Sequence, residues 1–476
     1  MEERKGFGSN FGFLMAAIGS AVGLGNIWGF PFKMGISGGF TFLVIYLILA
    51  ALCGFIVMVG ELALGRKTGK GAVAAYQVLS KKFKWVGWLG IISAFLIMSF
   101  YCALGGYCIK YVVLNFGNLF HAGFGSNGLD GNAIFGNLMT NQAESVIYGL
   151  IFVALTLVIV MGGIGGGIEK FCSIGMPALF FMLIIVIVRS VTLPGAVEGL
   201  KFMFVPGYAV SAGIVKEAPG FMSVLSTAGG QMFFSLSLGM GAMITYGSYL
   251  DKKQNVEKNA ILIVICDTMI ALMAGLAVLP ASFALGGAGA SMAGPKLLFV
   301  TLQNVFDHMG GVGPVFGIIF YLLVVLAAVS SSISLLEVIV THFVDKAKEK
   351  GQGDQRKKYS IAASVLIAGL CTLVCLDGLG SNGLWVPFQS TVGVRGFNDC
   401  WLDFFDMISE GILMPLGALF MCLMIGWEIG PKVVKDECSI EGNKLGGYGF
   451  FTVCVKFITP LLMLFILYGQ IKNFFF

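Results

Sequence analysis

The sequence predicts an all-α polytopic membrane protein of about eleven transmembrane helices, in which a five-plus-five inverted repeat is followed by one further helix. Three observations lead to this prediction. Of the 476 residues, 57% are hydrophobic and 12% are charged, whereas soluble domains carry about 25% charged residues. Apolar stretches of membrane-spanning length recur along the whole chain. Two of these stretches are interrupted by small and polar residues. An ordinary soluble protein is therefore excluded.

Hydrophobic runs bounded by charges or by Gly/Pro clusters predict the individual spans. They lie near residues 12–36, 41–65, 86–114, 144–165, 171–192, 223–248, 259–285, 314–341, 359–376, 405–428 and 449–471. We expect a single membrane domain over residues 1–476. Its predicted parts are a first repeat at 12–192, a second repeat at 223–428 and an eleventh helix at 449–471.

The positions of Lys and Arg predict the orientation in the bilayer. Alternate connections are basic, from Arg4 at the N-terminus to Lys444 before the last span, and the connection at 115–143 contains neither residue type. Cytoplasmic loops are enriched in Lys and Arg. We therefore expect a multi-pass protein of the plasma (inner) membrane, embedded in the lipid bilayer, with the N-terminus in the cytoplasm. An odd number of spans then places the C-terminus outside.

Other function classes find no support in the sequence. The eleven cysteines lack CxxC or Cys/His metal-ligand spacing and are interpreted as small apolar packing residues. The Gly-rich run at 162–167 lacks the Lys of a phosphate-binding loop. The charged N-terminus is not followed by a signal-peptide cleavage site. We expect no enzymatic activity, no cofactor and no nucleic-acid partner.

The first and sixth spans differ in composition from the others. The first contains GSAVGLGN at residues 19–26, and the sixth contains SLSLGMG at residues 235–241. Such residues weaken a helix and free backbone polar groups, which lipid tolerates only around a protein-lined or hydrated cavity. The two spans begin consecutive five-helix units, and since five is odd, these units enter the membrane from opposite sides. Close packing by small residues is the alternative; the matched pair favours two broken helices.

Polar side chains inside the spans predict an ion site. The ones that stand out are Asn26, Ser235, Ser237, Asp267 and the triplet 330–332. Their oxygens, together with carbonyls freed by unwound helices, form a hard ligand set suited to an alkali cation rather than to zinc or copper. Sodium is the specific hypothesis. For each serine alone, a hydrogen bond to its own helix is the simpler alternative.

The motifs in these spans resemble those of the neurotransmitter:sodium symporter family, whose fold is that of the bacterial leucine transporter. The matching segments are GSAVGLGNIWGFP at 19–31, GQMFFSLSLGMG at 230–241 and AAVSSS at 327–332. The resemblance extends over essentially the whole chain. It implies the leucine-transporter fold with broken helices 1 and 6, two sodium ions and an L-amino acid as partners.

The resemblance also implies the residues of the two sodium sites. The first site would use Ala21, Asn26, Ser235 and Asp267, together with the carboxylate of the substrate. The second site would use Gly19, Val22, Ala327, Ser330 and Ser331. An ion that shares the substrate's carboxylate makes the binding of ion and substrate reciprocal, and this linkage couples their transport. Glu61 resembles the family's buried acid beside the unwound segments.

The implied substrate cavity is mostly apolar. Its residues are Ser20, Ala21, Leu24, Gly25, Ile97, Tyr101, Phe234, Ser235, Ser237, Met240, Ser331 and Leu335. Tyr101 would donate a hydrogen bond to the substrate carboxylate; a membrane-interface anchor is its alternative role. Amine-selective relatives carry Asp at the position of Gly23, so glycine there indicates a whole amino acid as substrate. The apolar lining indicates a large apolar or aromatic side chain.

The gates depart from the family's pattern. The outer gate of the family pairs an Arg in span 1 with an Asp in span 10. Here the Arg position is Gly29, while Asp406 is present. Lys33 lies one helical turn beyond Gly29 and is expected to pair with Asp406, without the bidentate geometry of Arg. The implied inner gate pairs Arg4 with Asp345.

We therefore expect a sodium-coupled symporter that imports large apolar or aromatic L-amino acids by alternating access. The alternative is a receptor-like or regulatory amino-acid-binding membrane protein of the same fold, suggested by the missing Arg. An ion channel fits poorly because the gating pairs close both ends. Chloride-dependent relatives have other residues at the positions of Asp267 and Ala271. Because the Asp267 carboxylate supplies the negative charge that chloride would otherwise provide, we expect transport without chloride. The sequence leaves open the exact amino acid, the ion stoichiometry, any counterflow, and whether the protein is a monomer or a homodimer.

Overall fold

Helices form nearly all regular structure in the part of the chain that the structure describes. This structure, a computed structural model, describes residues 6–286, 294–353, 355–387 and 400–475. The helices of the first half are α1 Asn10–Ala21, α2 Gly25–Ile36, α3 Phe40–Thr68, α4 Ala72–Leu79, α5 Val86–Leu119, α6 Gly131–Thr140, α7 Gln142–Met161, α8 Ile164–Val191, α9 Ala196–Phe204 and α10 Tyr208–Ser211. The predicted all-α class is confirmed.

The second half of the chain repeats this pattern of long spans joined by short helices. Its helices are α11 Phe221–Ser235, α12 Ala242–Gly247, α13 Val256–Gly286, α14 Leu297–Asp307, α15 Gly313–Glu349, α16 Arg356–Asp377, α17 Trp401–Glu428, α18 Lys432–Cys438 and α19 Tyr448–Lys472. The short helix α14 lies in the connection before α15, where the sequence analysis expected no helix.

Nine helices in the described residues are long and apolar enough to cross a membrane, and the bent pair α1–α2 makes a tenth span. The predicted sixth span is not one helix, because α11 has 15 residues and α12 has 6. The turn at 236–241 separates them. Counting this interrupted pair as one span accounts for the predicted number of about eleven.

The first break follows from a run of poor helix formers. Helix α1 ends at Ala21, and Val22 is extended, with φ −76° and ψ 108°. Asn26 Oδ1 accepts a hydrogen bond from the Gly23 N–H at 3.0 Å, which satisfies a donor that the broken helix would leave free. The chain bends by 47° between α1 and α2.

The second break contains three residues in the left-handed region. Ser237, Gly239 and Gly241 have φ angles of 53°, 78° and 76°, and alternate left-handed residues cannot continue a right-handed helix. Glu61 Oε1 accepts a hydrogen bond from the Gly239 N–H at 2.7 Å. A Cβ at Gly239 would collide with the backbone of Met414. The turn therefore requires glycine at this position.

The two broken spans lie at the centre of the bundle. Helix α1 packs against α8 and α15, α5 packs along α15, and α11 packs against α3 and α19. The breaks are therefore surrounded by α3, α5, α13 and α15, whose side chains complete the site described next.

Candidate functional site

A buried carboxylate occupies the space between the two breaks and α13. Asp267 is 0% exposed. The Asn26 side-chain amide donates to Asp267 Oδ1 at 2.7 Å and to the Asp267 carbonyl at 3.2 Å. The Ser235 hydroxyl lies 3.1 Å from Oδ1 and 2.9 Å from Oδ2. The structure thus brings together three of the residues predicted for the first sodium site. Ala21, the fourth, is the last residue of α1, at the break.

Tyr46 is a member of this cluster that the sequence analysis missed. Its hydroxyl lies 3.5 Å from Asp267 Oδ2 and donates to it. Within the described residues, the hydrogen-bond donors to the Asp267 carboxylate are neutral groups, and no Lys or Arg is among them. A buried carboxylate without a cationic partner is unfavourable in a protein interior. A bound cation between these oxygens would supply the missing charge.

A second group of oxygens lies between α1 and α15. The Ser331 hydroxyl is 3.1 Å from the Val22 carbonyl and 3.3 Å from the Gly19 carbonyl. The Ser330 hydroxyl is 3.4 Å from the Val22 carbonyl and 2.9 Å from the Ala327 carbonyl. All five residues predicted for the second sodium site therefore meet at one place. The group contains only neutral oxygens, which suits a monovalent cation.

Tyr101 lies directly against the first break. Its hydroxyl accepts a hydrogen bond from the Leu24 N–H at 2.9 Å, so Tyr101 faces the site and is not a membrane-interface anchor. A Cβ at Gly23 would lie within 3.0 Å of both the Tyr101 hydroxyl and the Ser331 hydroxyl. Glycine at position 23 therefore allows α1 to approach α5 and α15 closely at the first break.

The other predicted lining residues lie on the same elements. The Ser237 hydroxyl donates to the Ser20 carbonyl at 2.8 Å, which joins the two breaks directly. A Cβ at Gly25 would lie 2.7 Å from the Phe234 ring, whose centroid is 6.5 Å from that of Tyr101. The remaining apolar residues are buried, each at most 3% exposed: Ile97, Met240 and Leu335.

The predicted outer pair between Lys33 and Asp406 is corrected by the structure. Lys33 forms its ion pair with Glu410, and the side chains are 16% and 8% exposed. Asp406 and Glu410 both lie on α17, one helical turn apart, and the acid that faces α2 pairs with Lys33. The Lys33 ammonium also lies 5.9 Å from the centroid of the Phe234 ring. Lys33 thus joins spans 1, 6 and 10 above the central site.

Glutamine partly fills the place of the missing Arg. Gln231 on α11 donates its side-chain amide to the Gly25 carbonyl at 2.7 Å. A Cβ at Gly29 would lie 2.9 Å from Gln231 Oε1. The chain thus uses an amide, not a guanidinium, to bridge the two broken spans at this level.

At the other end of the bundle, Asp345 Oδ2 accepts the Gly71 N–H at 2.9 Å. Its predicted partner Arg4 lies outside the described residues. The Phe7 ring packs edge-on against Tyr246, with the ring centroids 5.8 Å apart. These contacts lie at the end of the bundle where Lys and Arg are abundant.

The sequence analysis also missed a buried acid at this end. Glu337 is 0% exposed and forms an ion pair with Arg356. The Tyr249 and Thr341 hydroxyls lie 2.8 Å and 2.9 Å from Glu337 Oε1. Arg356 could have been singled out as the arginine that begins span 9, but nothing in the sequence identifies its partner.

The fold and this site define a class of protein. Two broken spans meet near the middle of a helical bundle, where carbonyl, hydroxyl, amide and carboxylate oxygens come together in two groups. Secondary transporters bind their ions and substrates in this arrangement. The protein is a multi-pass membrane transporter. It belongs to the sodium:neurotransmitter symporter family, whose sequence model matches residues 4–122 and 140–475. It is accordingly a sodium-dependent symporter and not an enzyme.

Relatives and solved structures agree with this assignment. A sodium-dependent transporter of Bacillus subtilis (strain 168), described as uncharacterized, is 35% identical over 465 residues, covering 96% of this chain and 95% of that protein. The sodium-dependent nutrient amino acid transporter 1 of Drosophila simulans is 24% identical, covering 98% and 77%. The crystal structure of MhsT in complex with L-phenylalanine matches with a TM-score of 0.84 and 34% identity, covering 98% of this chain and 100% of that chain.

Proposed function

We propose that the protein imports large apolar or aromatic L-amino acids together with sodium ions by alternating access. The observation that carries the proposal is that the buried Asp267–Asn26–Ser235 cluster lies at the two breaks, next to the unwound residues that contact Tyr101. A cation at the cluster and a substrate carboxylate beside Tyr101 would be close enough to stabilise each other. This mutual stabilisation would couple the two fluxes.

The two oxygen groups have different roles in this proposal. The group around Asp267 holds the sodium ion that contacts the substrate, and the carboxylate fixes its charge. The group of Ser330, Ser331 and the carbonyls of span 1 holds a second ion, without a formal charge. Because it joins α1 to α15, loss of its ion would free the two helices to separate and open the inner side.

The substrate would be oriented by its backbone groups. The Leu24 N–H and the Tyr101 hydroxyl, which now bond to each other, would both turn to the substrate carboxylate. Carbonyls in the turn at 236–241 would receive the ammonium group. The side chain would lie among Ile97, Phe234, Met240 and Leu335. The L-phenylalanine in the MhsT structure supports this choice of substrate class.

The receptor-like alternative loses its main argument. It was suggested by the missing Arg of the outer gate, but Lys33 and Glu410 join spans 1 and 10 by another ion pair. The protein therefore retains charged contacts that can close the outer side. We keep the orientation predicted from Lys and Arg, with the N-terminus in the cytoplasm.

Transport by purified protein in proteoliposomes tests the proposal. Radiolabelled leucine should accumulate inside vesicles under an inward sodium gradient and should leave when an ionophore dissipates the gradient. Glutamate and lysine should not compete, because an unpaired charge in the apolar lining costs several kcal/mol. Sodium-dependent leucine binding without accumulation would overturn transport in favour of a receptor. Strong competition by glutamate would overturn the substrate class.

A further inference from the structure

The N-terminus of α1, at the end of the bundle rich in Lys and Arg, is held by an acid of α8 that belongs to neither proposed sodium site. Glu169 Oε2 accepts the Gly8 N–H at 2.8 Å, and Oε1 accepts the Ser9 hydroxyl at 3.2 Å. Ser9 is in turn the N-cap of α1, because its Oγ accepts the Gly12 N–H at 2.9 Å. One carboxylate of the fifth span therefore bonds to the start of the first span.

The two helices fit closely at this point. A Cβ at Gly12 would collide with the Glu169 side chain, so glycine lets the carboxylate reach the first turn of α1. None of the ion pairs between described residues involves Glu169. Its negative charge therefore faces the N-terminal N–H groups and the positive end of the α1 dipole, where an anion is stabilising.

The contact lies at the opposite end of α1 from the second group of oxygens. Ser9 and Gly19 are ten residues apart, which is about 15 Å along a helix. Gly19 also packs against α8, since a Cβ there would lie 3.3 Å from Cys172 Sγ. Helix α1 is thus joined to α8 near its start and to α15 near its end, through Ser330 and Ser331.

Both donors to Glu169 are accessible to water. Gly8 and Ser9 are exposed, and Glu169 is partly exposed. A carboxylate that loses these donors can therefore be hydrated, without the large penalty of a buried unpaired charge. The contact can break and re-form at low cost, which it must do if α1 moves away from α8 in each transport cycle.

We propose that Glu169 is a positioning residue that latches α1 against α8 while the inner side is closed. The inference rests on the proposed function, in which loss of the second sodium ion lets α1 move and the inner side open. The latch and the ion stabilise each other, because each holds α1 in the position that the other requires. Loss of the latch should therefore lower the apparent affinity for sodium, although Glu169 is not a proposed sodium ligand.

Sodium-dependent leucine binding to the full chain in nanodiscs measures this coupling. In Glu169→Ala the sodium concentration for half-maximal binding should rise about fivefold, and in Glu169→Gln, which keeps one acceptor oxygen, about twofold. The number of leucine sites at saturating sodium should stay unchanged, whereas misfolding would reduce it. Glu441→Gln, which neutralises an exposed acid before the last span, is the matched control and should behave as the wild type does.

Gly12→Ala tests the contact from the other helix. The added methyl group should displace the Glu169 side chain and raise the sodium requirement about as much as Glu169→Ala does. In the Glu169→Ala background the same substitution should have little further effect, because the side chain that it displaces is absent. Additive effects of the two substitutions would show that Gly12→Ala acts on α1 alone and would contradict the latch.

Cys172 reports the movement of α1 directly. It is 0% exposed, and it lies one helical turn beyond Glu169, where α8 packs on Gly19. A hydrophilic maleimide should alkylate Cys172 about fivefold faster in Glu169→Ala than in the wild type at low sodium, and saturating sodium should slow both reactions. Cys438, which is 1% exposed in α18, should react equally in the two proteins. Peptide mass spectrometry separates the two thiols.

An unchanged sodium requirement in Glu169→Ala would overturn the proposal, and so would equal alkylation of Cys172 in the variant and the wild type. Alkylation of Cys438 that rises in step with that of Cys172 would indicate a general loosening of the fold instead of a latch. If leucine does not bind at all, the proposed substrate class fails, but protection of Cys172 by sodium alone still decides the role of Glu169. Binding and protection without uptake into proteoliposomes would contradict the proposed import alone.

Discussion

The ion pair between Lys33 and Glu410 leads to an asymmetric mutational prediction. Removing Lys33 leaves Glu410 and Asp406 on one face of α17, one helical turn apart and without a cation. Removing the charge of Glu410 still leaves Lys33 an alternative partner, because Asp406 lies next to Glu410. Lys33→Ala should therefore impair uptake more than Glu410→Gln does. Asp406→Asn relieves repulsion and should have the smallest effect.

The size of the coupling follows from the burial of the pair. An exposed ion pair contributes up to about 1 kcal/mol, and breaking a fully buried one costs about 3–5 kcal/mol. The side chains are 16% and 8% exposed, so we expect an interaction energy of about 2 kcal/mol, which is about a 30-fold effect. The double variant Lys33→Ala/Glu410→Gln should be much less impaired than the product of the single effects.

This double-mutant cycle is measured by the initial rates of sodium-driven leucine uptake in proteoliposomes that contain equal amounts of each variant. Lys296→Ala is the matched control, because Lys296 is an exposed lysine outside the ion pair. If Asp406→Asn is as harmful as Lys33→Ala while Glu410→Gln is neutral, Asp406 is the true partner. Additive single effects would show that the pair does not act as a gate.

Three further predictions concern the central site. Uptake should survive replacement of chloride by gluconate, because Asp267 supplies the negative charge that a chloride ion would otherwise provide. Asp267→Asn should lower uptake about tenfold. Loss of wild-type uptake in gluconate would refute this role of Asp267. Gly23→Ala should weaken sodium-dependent leucine binding about tenfold or more by overpacking. Gly136→Ala, where the added Cβ meets open space, should leave it unchanged. Met240→Phe should favour smaller aliphatic substrates over tryptophan by about tenfold in competition assays; an unchanged preference would remove Met240 from the pocket.

The breaks in the first and sixth spans could be predicted because glycine and polar residues are conspicuous in apolar sequence. Asn26, Ser235 and Asp267 were expected together, and both Asn26 and Ser235 donate hydrogen bonds to Asp267. Tyr46 could not be singled out, because a tyrosine within a span has the same appearance whether it packs or donates a hydrogen bond.

The partner of Lys33 illustrates what a sequence pattern does not contain. Asp406 and Glu410 share one face of a helix, and the rotation of α17 relative to α2 decides which acid meets the lysine. That rotation depends on the packing of many side chains. The pairing of Glu337 with Arg356 has the same origin, since the two residues lie on different helices.

The hydrogen bond from the Gly23 N–H to Asn26 Oδ1 affects the energetics of binding. Fixing the backbone of one residue costs roughly 1–2 kcal/mol of conformational entropy. Because the Asn26 side chain already orders the unwound segment through this hydrogen bond, an arriving ligand does not bear this cost. Ordering of the first span should therefore add only a small entropic penalty to the binding of sodium and substrate. Calorimetry of leucine binding to Asn26→Ala should show a larger entropic penalty.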